Sequence, residues 1–189
     1  PGETIEIATN KEDRTIKVNS QNSQFNLLSL PAEEFPVLKP ISGDNSFVIQ
    51  DGILRDLIKK TVFACATDEA RPIFTGGLLE ADGEEVRMVA TNTHRMALKR
   101  AKIATGNGNV KMIIPAKILN ELARLLVSEE PKDVSLSWQK NQVGIVFDDV
   151  YINSRLIEGQ FPDYNKVIPS SFATTVKLNA DQFLDAVLD

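Results

Sequence analysis

Residue types able to do covalent or metal chemistry are thinly spread in this sequence. It has one histidine, His94, and one cysteine, Cys65. Metal cages and activated nucleophiles need several Cys, His or carboxylate groups held together, and neither residue has such a grouping beside it. Gly76-Gly77 lacks the glycine spacing and strand-to-helix setting of a phosphate loop. Asp148-Asp149 reads as a turn in a chain rich in carboxylates. An enzyme with a dispersed site is therefore disfavoured, and no metal or cofactor is expected. A lone cysteine excludes an intrachain disulfide and fits a reducing compartment, so a cytoplasmic location is expected.

The cations are better organised. Arg55 and Lys59 are four apart in one apolar-periodic segment, and Lys117 and Arg124 are seven apart in another, so each pair shares a helix face. Spaced cations without interleaved aromatics suit loose phosphate contact rather than base reading or stacking. A solvated helix face is the competing reading. The net charge of −5, from 21 basic and 26 acidic residues, argues against a nucleic-acid coat. The charge is uneven, however: residues 46–127 carry 12 basic and 9 acidic groups (+3), while the flanking stretches are acidic.

The elements that must carry these groups follow from periodicity. With 189 residues, 42% of them hydrophobic, the chain can bury a core and form one to two domains. No apolar run approaches 18 residues, so no membrane-spanning helix is expected. The start, Pro1-Gly2-Glu3-Thr4, shows no signal peptide and no initiator Met, and is read as the product of a cut from something longer.

Alternation predicts strands at Thr4–Ala8, Thr15–Val18 and from Phe25, then a proline-punctuated loop and a linker at Ser42–Asn45. A strand at Ser46–Gln50 leads into Asp51, a candidate N-cap, and a helix carrying Ile53, Leu54, Leu57 and Ile58 into Val62-Phe63. Strands are expected at Ile73–Glu80, Val86–Thr91 and His94–Ala101, with a hairpin at Ala81–Glu84 and a loop at Thr105–Asn109. The pattern then restarts. Lys111–Ile114 is a strand, Pro115 suits a helix first turn, and Ile118, Leu119, Leu122, Leu125 and Leu126 form an apolar stripe. Strands follow at Val134–Trp138, Val143–Phe147 and Val150–Leu156.

A shift of 65 superposes Ile49 on Ile114, Leu54 on Leu119, Leu57 on Leu122 and Lys59 on Arg124. A longer shift of 126 superposes Phe25 on Tyr151 and Phe35-Pro36 on Phe161-Pro162, and the opening at Phe47–Ile58 echoes at Val176–Leu188. The expected fold is α+β: two strand-helix-three-strand modules per domain, with two adjacent helices packed on antiparallel sheet. Residues 1–44 would end a first domain, 45–170 form a complete middle domain, and 171–189 begin a third.

Several longer segments carry a family resemblance. They are Arg71–Gly76, Val89–Ala97, Met112–Lys117 and Ser154–Tyr164, in that order, with Phe25–Leu38 upstream. Together they resemble the bacterial sliding clamp, the beta subunit of the replicative DNA polymerase, over essentially the whole chain. The resemblance implies a DNA clamp fold and a non-catalytic processivity factor, working as a homodimeric ring around duplex DNA without sequence preference. It also implies a hydrophobic cleft for short peptide motifs of the polymerase, the clamp loader and repair proteins. Carried over by motif, the cleft falls on Phe74, Thr91, Thr93, His94, Arg95, Met96, Pro162, Lys166 and Val167. The DNA-lining set is Arg55, Lys59, Arg71, Lys117 and Arg124. Thr93 stands where the family commonly has Gly, Phe74 where Leu is common, and Lys166 where Arg is common. The alternative from another class is a protein-binding scaffold that never encircles DNA.

Overall fold

Phe47 and Ile49 are buried while Ser46, Val48 and Gln50 are exposed, the period-two pattern of a strand with one face on a core. In the computed structural model this strand, β4 (Ser46–Gln50), runs directly into helix α1 (Asp51–Lys59). The structure describes residues 4–10, 12, 14–37, 40–41, 45–103, 109–127 and 130–188. Ser42–Asp44 of the expected linker and Thr105–Gly108 of the expected loop lie outside the described residues, as do Pro1–Glu3, Leu38 and Asp189.

The chain divides into two compact units, 1–40 and 41–189. The first is an antiparallel meander of β1 (Ile5–Asn10), β2 (Thr15–Ser20) and β3 (Ser23–Leu28). The second contains β4, α1, β5 (Gly76–Ala81), β6 (Glu85–Thr91), β7 (Met96–Lys102), β8 (Val110–Pro115), α2 (Ala116–Leu125), β9 (Asp133–Gln139), β10 (Gln142–Phe147), β11 (Val150–Arg155) and α3 (Ala180–Leu188).

Strand, helix and three strands therefore recur as expected, but the modules do not make separate sheets. They exchange their first strands. The sheet orders are β11-β10-β9-β4 and β7-β6-β5-β8. Ile49 of β4 pairs with Val134 of β9, and Ile114, its counterpart 65 positions on, pairs with Gly77 of β5. Leu54, Leu57, Leu119 and Leu122 are all 0–1% exposed and meet both sheets in one core. The register seen in the sequence is thus a register of burial.

Several boundaries differ from expectation for local reasons. Asp51 is the first helical residue and Gln50 the N-cap; the buried Asp51 carboxylate instead accepts from the Gly52 and Lys132 amides at 2.7 and 3.1 Å. That ties the helix start to the entry of β9. α1 ends at Lys59, and Val62–Ala64 is a 3-10 turn, which buries Val62 and leaves Phe63 exposed. Pro72–Phe74 is also a 3-10 turn, because Pro72 suits a first turn and Thr75 closes it; β5 begins only at Gly76. β7 starts at Met96, since 92–95 form the turn. Pro115 closes β8 as the cap residue before α2. Leu125 is half-exposed, and Ala123 takes the buried place in the stripe.

The helix expected near the end is present as α3, capped by Asn179, whose side chain accepts from the Asp181 and Gln182 amides. The strand expected before it is not: 174–179 has no strand partner among the described residues. β4 is a strand because β9 holds it, and Val176–Leu178 has no such neighbour among the described residues.

Candidate functional site

A β-strand alternates its side chains between two faces, and β5–β8 use both faces for burial. Leu79, Val86, Met88, Ala90, Met112 and Ile114 point to the helix-covered core. Leu78, Val89 and Ile113 point the other way and form a second, smaller core with Phe74, Phe161 and Tyr164. What covers this outer face is the non-strand segment 157–167, which leaves the sheet after Ile157 donates to the Ile113 carbonyl at 2.9 Å and ends in a 3-10 turn at Tyr164–Lys166.

Between this segment and the β6–β7 turn lies a cleft of about 280 Å³, lined by Phe74, Thr91, Thr93, His94, Arg95, Met96, Phe161, Pro162, Tyr164 and Val167. The turn is held from within. The Asn92 side chain accepts from the His94 and Arg95 amides, both at 3.0 Å, and the Thr91 hydroxyl donates to the Arg95 carbonyl at 2.8 Å. The Thr93 amide closes on the Thr91 hydroxyl oxygen at 3.1 Å. This geometry requires a left-handed backbone at Thr93, φ +77°, which a β-branched residue adopts at a cost. Phe74 and Phe161 meet edge to face, with centroids 6.0 Å apart. The result is an apolar groove with a rigid polar rim, suited to an extended chain that inserts apolar side chains.

The structure brings together eight of the nine cleft residues taken from the resemblance. Lys166 is not among the lining; it is exposed and lies 3.6 Å from Asp163. The Arg95 guanidinium donates to the Phe63 carbonyl and lies over the Phe63 ring. Sequence reasoning missed Phe161 and Tyr164 as lining. Their signal was present, two aromatics bracketing Pro162-Asp163 at the end of the Ser154–Tyr164 segment that carries the resemblance.

The second candidate surface is the outward side of the helices. Gly52, Arg55, Asp56 and Lys59 of α1 and Lys117, Asn120, Glu121 and Arg124 of α2 are exposed or half-exposed, turned from the common core. Arg124 pairs with Glu121 at 2.9 Å. Lys60 and Lys99 bind the Asp56 carboxylate at 2.9 and 3.1 Å, and their hydrogen bonds hold it below the usual carboxylate range. Arg71, grouped with these cations at first, sits on the loop before Pro72, its guanidinium 5.7 Å above the Phe74 ring.

Among the described residues no group of three metal-binding side chains converges, and no helix is long and apolar enough to cross a membrane. Burial pushes the Cys65 thiol up to about 11.

This architecture, paired helices under strand-exchanged antiparallel sheets, is the DNA clamp fold, and solved clamps superpose on it. The family model "DNA polymerase III beta subunit, central domain" matches residues 48–163, and the chain belongs to that family. It is similar to the DNA polymerase sliding clamp of Bacillus subtilis, with a TM-score of 0.87 and 32% identity over 99% of this chain and 49% of that one. It is likewise similar to the DNA polymerase III subunit beta of Pseudomonas aeruginosa, with a TM-score of 0.77 and 32% identity over 87% and 45%. The beta sliding clamp of Staphylococcus epidermidis is 30% identical over 99% of this chain and 49% of that protein. The chain spans about half the length of the curated relatives it matches.

Proposed function

We propose that these residues act in a non-catalytic processivity clamp of DNA replication, which encircles duplex DNA and tethers polymerase, clamp loader and repair proteins. In this reading 1–44 belong to a first clamp domain, 45–170 are the middle domain and 171–189 belong to a third. Two such three-domain subunits close a ring.

One observation carries the reading: the helices and the cleft occupy opposite faces of the sheet β7-β6-β5-β8. Alternating side chains along the same strands build both surfaces, so DNA and a peptide can be bound together without competing. Lys59, Lys117 and Arg124 would meet phosphates loosely, helped in position by Arg55. Weak contacts suffice where a closed ring retains DNA topologically, and strong ones would brake sliding. The cleft would take a short peptide through one or two buried apolar anchors.

The test uses a protein carrying all three clamp domains. It should stay on closed circular DNA and run off the same DNA once linearised. Equal retention on both forms would overturn the encircling reading in favour of a scaffold that binds partners only.

A further inference from the structure

We infer that Tyr164 is a positioning residue for the cleft, acting through Glu80 to fix the wall that carries Pro162 and Val167. The inference rests on reading the cleft as a peptide groove. That wall belongs to 157–167, which forms no strand. Beyond Ile157, side chains attach it to the sheet. The Phe161 ring packs on Phe74, an apolar contact that fixes no direction.

Tyr164 supplies a direction. Its ring lines the groove and is 5% exposed, while its hydroxyl donates to Glu80 Oε2 at 2.6 Å. Hydrogen bonds to a carboxylate are among the stronger ones a protein makes. Glu80 is itself held, because Lys111 lies directly across on β8 and its Nζ reaches the other carboxylate oxygen at 3.1 Å. The anchor is therefore a side chain in mid-sheet, braced by its cross-strand neighbour. From Tyr164 the constraint passes along one 3-10 turn: the Val167 amide donates to the Tyr164 carbonyl at 3.0 Å, and the Asp163 side chain accepts from the Asn165 amide at 3.2 Å. Val167, though exposed, is placed against the groove by this turn. Without the hydroxyl, the ring still packs but the wall loses its register. A peptide would then have to order the wall as it binds, which lowers affinity without removing any contact.

The experiment titrates a fluorescein-labelled peptide bearing a Leu-Phe pair into the 189-residue chain and its Tyr164→Phe, Glu80→Leu and Glu80→Gln variants. Met96→Ala serves as the control for the groove, and hydrogen exchange is followed at the Val167 amide. Tyr164→Phe and Glu80→Leu should each weaken binding roughly tenfold and speed exchange at Val167, leaving core amides of β5 and β6 unchanged. Glu80→Gln keeps an acceptor and should stay within about threefold of the parent, an ordering that lost packing alone would not produce. Parental affinity and parental Val167 exchange in Tyr164→Phe, with binding lost in Met96→Ala, would overturn the inference. If the parent chain does not bind the peptide, the groove reading fails. The Val167 exchange then decides the anchor: faster in Tyr164→Phe supports it, unchanged rejects it.

Discussion

Arg55 Nε on α1 donates to the Ala123 carbonyl on α2 at 3.2 Å, a polar contact that joins the two helices. Ala123 lies in the last turn of α2, where the final four carbonyls lack partners within the helix. A cation there satisfies one of them and complements the helix dipole. Arg55 is thus partly structural, whereas Lys59 at the next turn has no such task. Arg55→Ala should lower unfolding free energy by about 1–2 kcal/mol and Lys59→Ala by less than about 0.5 kcal/mol. Urea denaturation of both variants checks the contrast.

Charge reversal at Lys59 and Arg124 should act on DNA rather than on folding. In the three-domain protein the double variant should dissociate faster from duplex DNA, with a flatter dependence on salt. Each lost phosphate contact removes about 0.9 from the slope of log affinity against log salt. Glu121→Gln should do the reverse, since Arg124 is then released from its 2.9 Å ion pair. Binding measured across a salt series separates the two.

Thr93 holds a left-handed backbone, φ +77°, that glycine adopts freely. Thr93→Gly should relieve about 1–2 kcal/mol of strain, offset by about 0.5–1 kcal/mol from the freer unfolded chain. A small rise in thermal midpoint is expected, together with a roomier groove. A fall in the midpoint would show that the Thr93 side chain contributes more than its backbone costs.

Gly76 and Gly77, unremarkable as a phosphate loop, are sites of close approach. A Cβ at Gly76 would lie 2.5 Å from the Ile114 carbonyl oxygen, and one at Gly77 2.8 Å from Leu119 Cδ1. Gly76→Ala meets backbone that cannot yield easily and should cost about 2–3 kcal/mol; Gly77→Ala meets a movable side chain and should cost about 1 kcal/mol. Paired denaturation curves test the order.

The Cys65 thiol is buried and its pKa is raised from 9.0 to about 11 by that burial. Because the folded value lies above the unfolded one, the folded chain keeps its proton longer. Stability from this group is whole below pH 9 and declines as pH rises from 9 towards 11. A disulfide-exchange reagent at pH 8 should leave Cys65 unmodified in the folded chain and react promptly in denaturant. Cys65→Ala should flatten the alkaline limb of the stability curve.

Most of the elements were legible because burial imposes period on sequence. Leu54 and Leu57 repeat as Leu119 and Leu122 since each pair packs a helix onto the same core, and a hydrophobic stripe is a local pattern. Thr91–Met96 was marked only by its family resemblance, although its turn is local and formed by its own side chains.

Contacts between distant segments decided the rest. Nothing local tells β4 to pair with β9, or β8 with β5, since an apolar strand offers the same edge to any partner. Phe161 and Tyr164 look like linker aromatics until the outer face of β5–β8 presents Leu78, Val89 and Ile113 to cover. The Tyr164 hydroxyl finds Glu80 across 84 positions of chain, and Arg55 finds Ala123 across 68. Such partners are chosen by the geometry of the assembled sheets, to which the spacing of residues along the chain gives no access.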